Sequence, residues 1–75
     1  MAPKERADLT NQIRRFRFEH DEMTQQMLAD HVGVTRQTII ALESGKYAPS
    51  LALALRIART FDVPVEEVFQ LVDEE

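Results

Sequence analysis

The sequence predicts an all-α fold, a compact bundle of five short helices. Three observations carry that prediction. Apolar residues recur at three- and four-residue intervals, the period of a helix with one buried face. Hydroxyl residues stand just before several of these runs and glycine just after two of them, the order in which helices start and stop. No segment reads as a convincing strand.

The elements follow in order. Residues 1–8 are polar, contain Pro3 and mixed charge, and read as a flexible arm. Leu9, Ile13 and Phe16 recur at i, i+4 and i+7 and open a first helix, with Asp8 or Thr10 as its expected cap. His20-Asp21-Glu22 reads as a loop. Thr24 caps a second helix, Met23 is placed to fold back as a staple, and Met27, Leu28, Ala29 and Val32 form its apolar face. Gly33 ends it, since glycine adopts positive φ cheaply. Thr35 caps a third helix that buries Ile39 and Leu42 and stops at Gly45. Ser50 caps a fourth, with Leu51, Ala54, Leu55, Ala58 and Phe61 inward. Pro64 suits the first turn of a fifth, whose positive end favours Glu66 and Glu67 and whose apolar side is Val65, Val68 and Phe69. The domain is read as residues 9–71, followed by an acidic tail at 72–75.

Length and composition bound the function. Seventy-five residues make one domain. A domain of this size buries only about 60–65% of its unfolded surface, so a partner subunit would help its stability. With no cysteine, disulfides, thiol catalysis and thiolate metal sites are excluded. His20 and His31 stand eleven positions apart and read as surface residues rather than metal ligands. Asp21-Glu22 and Glu66-Glu67 read as solvated carboxylates, and so short a chain leaves little room for a substrate pocket; an enzyme is not expected. No apolar run approaches a membrane span and no signal peptide is evident, so a cytoplasmic location is expected. The net charge is −4, which weighs against a nucleic-acid partner. Its distribution weighs the other way. Six acids and no base lie between Asp62 and Glu75, and all nine bases precede them, so a local basic face remains available to phosphate.

The most informative segment is Thr24 to Gly45. Only Gly33, Val34 and the capping Thr35 separate its two helices, which forces a steep crossing. Ala29 is small where the helices approach, and Val34, Ile39 and Leu42 fill the angle beneath them. That burial leaves Arg36, Gln37, Ile40 and Ala41 facing outward, flanked by Thr38 and Ser44. Arginine is suited to guanine and glutamine to adenine in a major groove, and Ile40 or Ala41 to a thymine methyl. Gln25 sits at the start of the preceding helix, where backbone N–H groups favour a phosphate. The alternative is an ordinary solvated helix face.

The run Gln25-x-x-Leu28-Ala29-x-x-x-Gly33-Val34-Thr35-Arg36-Gln37-Thr38-Ile39-x-x-Leu42-Glu43-x-Gly45 resembles the Cro/phage-repressor-type helix-turn-helix family, also called XRE. The likeness continues through Lys46-Tyr47-x-Pro49-Ser50-Leu51 and Val63-x-Val65-Glu66-Glu67-Val68-Phe69, and covers roughly residues 9–70. The resemblance implies a lambda-repressor-like five-helix domain that binds duplex DNA, usually as a homodimer on a palindrome, without a cofactor. By position it implies base contacts from Arg36, Gln37 and Ala41, and phosphate contacts from Gln25, Thr38, Ser44, Lys46, Tyr47 and Arg14. It also implies an ion pair of Arg17 with Glu43 behind the reading surface. The chain departs from the family in two places. It is one residue longer than the phage repressors between Arg17 and Thr24, which predicts a small shift of the first helix. It also carries Ile40 where relatives commonly have a polar residue. Val65, Phe69, Leu71 and Val72 exceed what one small core can place and mark an expected dimer interface. The expected function is therefore a transcriptional regulator, most simply a repressor. The alternatives are an antitoxin, whose acidic tail would meet a basic toxin, and a protein-interaction module built on the same scaffold.

Overall fold

The computed structural model describes residues 9–72. The expected arm at 1–8, including the candidate cap Asp8, and the tail beyond Val72 lie outside the described residues. Along the chain run β1 (Leu9–Asn11), α1 (Ile13–Glu19), α2 (Gln25–Val32), α3 (Arg36–Glu43), α4 (Leu51–Thr60), α5 (Val65–Val68) and β2 (Phe69–Leu71).

The fold is thus predominantly helical, with a small sheet that corrects the all-α expectation. β1 and β2 pair antiparallel, with Leu9 opposite Leu71, Thr10 opposite Gln70 and Asn11 opposite Phe69. Leu9 therefore belongs to a strand, and its spacing to Ile13 and Phe16 does not mark a helix. The first helix begins later because Gln12 donates its backbone N–H to Val68 O at 2.8 Å and the Asn11 Oδ1 accepts from Ile13 N at 3.2 Å. Thr10 caps nothing; its hydroxyl faces Gln70 Oε1 across the sheet at 3.5 Å. The fifth helix is correspondingly a single turn, and Pro64 occupies its cap (φ −64°, ψ 152°) rather than its first turn.

The other helix starts are local chemistry. Thr24, Thr35 and Ser50 each have extended backbone, and each hydroxyl accepts the N–H three residues on. Each such cap contributes about 1 kcal/mol. Gly33 (φ 81°) and Gly45 (φ 79°) take the left-handed conformation after α2 and α3. At Gly45 the chain closes with Gly45 N to Leu42 O and Lys46 N to Ala41 O, a Schellman end that satisfies two terminal carbonyls of α3.

One core collects a face from every helix. Ile13, Leu28, Ile39, Leu42, Ile57 and Val68 are fully buried, each worth about 1.5–3 kcal/mol relative to exposure. Phe16 and Phe61 stack with centroids 5.4 Å apart, and His20 tilts over Phe61 while its Nδ1–H donates to Phe16 O, closing the end of α1. Two expected core faces are corrected. Met27 is exposed, and α4 turns Leu53, Ala54, Ile57 and Ala58 inward while Leu51 and Leu55 point to solvent. Residues 51–55 are apolar all round, so hydrophobicity alone does not set the phase of that helix.

Candidate nucleic-acid interface

The helix pair α2–α3 is built around three small devices. Thr24 Oγ1 accepts from Met27 N at 3.0 Å and fixes the start of α2. Gly33 turns the chain, and Gly33 N and Val34 N both bond to Ala29 O. Thr35 Oγ1 accepts from Thr38 N at 3.3 Å and restarts the helix two residues later. Ala29 is fully buried between the helices, beside Leu28 and Val32 on one and Ile39 and Leu42 on the other, while Val34 packs half-buried beneath the turn.

Burying that side of α3 leaves its opposite side open. Arg36 and Gln37 are exposed; Ile40 and Ala41 are half-buried, so all four remain accessible along one face. Thr38 is half-buried, and its hydroxyl lies 3.1 Å from that of Thr35. Ser44 donates to Ala41 O, and Lys46 and Tyr47 follow it, both exposed. Arg14 is exposed on α1 and shares a groove of about 720 Å³ with Arg15, Phe18 and Met23. A second groove of about 610 Å³ runs between the start of α2 (Thr24, Gln25, Gln26) and Arg36. Both grooves touch Arg17, Glu22 and Met23, so Arg14 and Arg36 flank one ridge.

Behind this surface lies a polar cluster that ties three helices together. Arg17 Nε donates to Glu43 Oε2 at 2.7 Å and Nη2 to Glu43 Oε1 at 3.2 Å, a two-bonded pair. Its Nη1 donates to Met23 O at 2.7 Å. Gln25 Nε2 adds a bond to Glu43 Oε1 at 3.1 Å, so the residue expected at a phosphate also anchors α2 to α3. The pair is largely shielded, with side-chain exposures of 14% and 12%. In the turn before α2, Asp21 (φ 58°) and Glu22 (φ 54°) are both left-handed, and Arg17 reaches Glu43 across it. The Met23 and Gln25 bonds carried no sequence signal beyond proximity to the motif.

The four residues expected at a dimer contact divide. Val65 and Phe69 pack partly against the chain's own core, whereas Leu71 and Val72 are exposed at 80% and 42%. Among the described residues there is no cluster of metal-binding side chains, and no helix is long and apolar enough to cross a membrane.

A family model described as helix-turn-helix matches residues 15–68, spanning α2, α3 and the whole of α4. An uncharacterized HTH-type transcriptional regulator of Methanocaldococcus jannaschii is 48% identical over 67 residues, 89% of this chain and 100% of that protein. Another, from Archaeoglobus fulgidus, is 51% identical over 67 residues, covering 89% of this chain and 94% of its own length. The crystal structure of a Bacteroides fragilis protein shares the fold, with a TM-score of 0.71 over 83% of this chain and 98% of that one, at 24% identity. Motif and relatives agree: the chain belongs to the XRE-type helix-turn-helix family.

Proposed function

We propose that this protein is a sequence-specific DNA-binding transcriptional regulator, acting as a repressor, that reads a palindromic operator as a homodimer. The observation that carries the reading is the exposed side of α3. Arg36 and Gln37 project from its first turn with no internal partner among the described hydrogen bonds, while the helix behind them is immobilised by Glu43. A helix presented this way suits a major groove, where Arg36 reads guanine, Gln37 reads adenine, and Ile40 and Ala41 meet thymine methyls. Gln25, Thr38, Ser44, Lys46, Tyr47 and Arg14 are assigned to phosphates, which set register rather than sequence. Two copies, joined through Leu71 and Val72 with support from Val65 and Phe69, would read half-sites about 34 Å apart.

Selection of bound duplexes from a random library, followed by sequencing, tests the proposal. The expected result is an enriched motif with two-fold symmetry, bound with an affinity that falls steeply as salt rises. Absence of any enriched motif overturns it.

A further inference from the structure

We propose that Asn11 is a positioning residue for α3: through it the sheet made by the two ends of the domain sets the angle at which the outer face of α3 is presented. The inference rests on the DNA-reading role proposed above and adds to it a residue that touches no base or phosphate.

Both halves of the Asn11 amide are used. Its Nδ2 donates to Leu42 O at 2.8 Å, across 31 positions of sequence, and its Oδ1 accepts from Ile13 N at 3.2 Å. The side chain therefore has one orientation, with its donor aimed at the last turn of α3. Leu42 O also accepts from Gly45 N at 3.0 Å, so this terminal carbonyl is doubly engaged. The backbone of Asn11 is held in turn. It sits in β1 opposite Phe69 of β2, and the next residue bonds Val68 O. A continuous series of hydrogen bonds thus runs from the C-terminal strand through β1 to α3.

The position of this tie gives it leverage. Leu42 and Glu43 are adjacent, so Asn11 from β1 and Arg17 from α1 hold the same end of α3 at successive residues. Apolar packing of Ile39 and Leu42 fixes the depth of the helix but resists rolling and tilting weakly, since it is non-directional. Two hydrogen-bonded ties from different elements remove that freedom. About 9 Å of helix separates Leu42 from Arg36. A tilt about the tethered end is carried along that length and moves the guanidinium at the other.

Asn11→Asp separates the two halves of the amide. It keeps an acceptor for Ile13 N, removes the donor to Leu42 O and sets a carboxylate against that carbonyl. Affinity is measured for the selected duplex, for the same duplex changed at one base pair, and for an unrelated duplex. The expected result is a roughly tenfold fall in the preference for the selected duplex, comparable to the discrimination carried by one base pair. Affinity for the unrelated duplex stays within about twofold, because phosphate contacts persist. Residual dipolar couplings of the α3 amides shift relative to those of α4. A merely structural role would lower melting temperature without changing the preference of the folded protein. If Asn11→Asp does not fold, Asn11→Ser, which retains an acceptor but is too short to reach Leu42 O, takes its place with the same expectations. Unchanged preference in the folded variant overturns the inference alone, as does loss of folding in both variants, since the contact would then serve the fold itself. A wild-type chain without preference overturns the DNA reading, and the inference with it.

Discussion

Helices α3 and α4 enter the same core and are held there by different means. α4 is the longer, with Leu53, Ala54, Ile57 and Ala58 buried, and among the described residues its side-chain hydrogen bonds are local: the Ser50 cap and Thr60 to Arg56 O. α3 buries Ile39 and Leu42 and then adds directional ties to three other elements, through Arg17, Gln25 and Asn11. The difference separates two jobs. A helix that serves only to close a core needs burial, which is insensitive to rotation of a few degrees. A helix whose outer face must meet a rigid partner needs its angle fixed as well, and hydrogen bonds supply angles where apolar contact does not.

Four variants sharpen that contrast. Ile57→Ala removes a fully buried side chain from α4 and is expected to lower stability by about 2–5 kcal/mol in denaturant titration, while the folded fraction keeps its DNA preference. A change of preference in the folded protein would show that α4 also sets the reading angle. Arg17→Ala leaves Glu43 shielded and without its cationic partner, held by the Gln25 bond alone, and is expected to cost about 3 kcal/mol, less any relief from entering solvent. Unlike Ile57→Ala, it should also weaken discrimination between duplexes. The double variant Arg17→Met with Glu43→Leu should recover most of the stability and none of the discrimination. Recovery of both would mean that packing suffices and the ion pair adds nothing directional. Gly33→Ala is the mildest. Open space surrounds the position where a Cβ would sit, so its cost is conformational alone, about 1–2 kcal/mol for a left-handed residue. A much larger loss, measured by thermal unfolding, would indicate that the turn cannot relax.

What was legible in the sequence was local. Thr24, Thr35 and Ser50 cap their helices through bonds spanning three residues, and Gly33 and Gly45 turn where positive φ is required, so residue type and position carry that information. The outward placement of Arg36 and Gln37 followed from the same short-range pattern. The sheet was not legible, because Leu9–Asn11 and Phe69–Leu71 are three residues each and their pairing joins positions some sixty apart. The outward turn of Leu51 and Leu55 was not legible, because a run of leucine and alanine gives no phase and only tertiary contact selects one. Arg17 and Glu43 stand 26 positions apart and were linked by resemblance alone. Asn11 gave no sign at all, since the spacing of Leu9, Ile13 and Phe16 puts it inside the expected first helix and its partner Leu42 lies 31 positions away.

The central claim is that the exposed side of α3 reads base edges, and Arg36 is its most direct test. Wild type and Arg36→Ala should be titrated against the selected duplex and against versions changed one base pair at a time. Arg36→Ala should lose about 1–3 kcal/mol on the selected duplex and become indifferent at one base-pair position in each half-site. Equal affinity and an unaltered pattern of preference in the two proteins would contradict it.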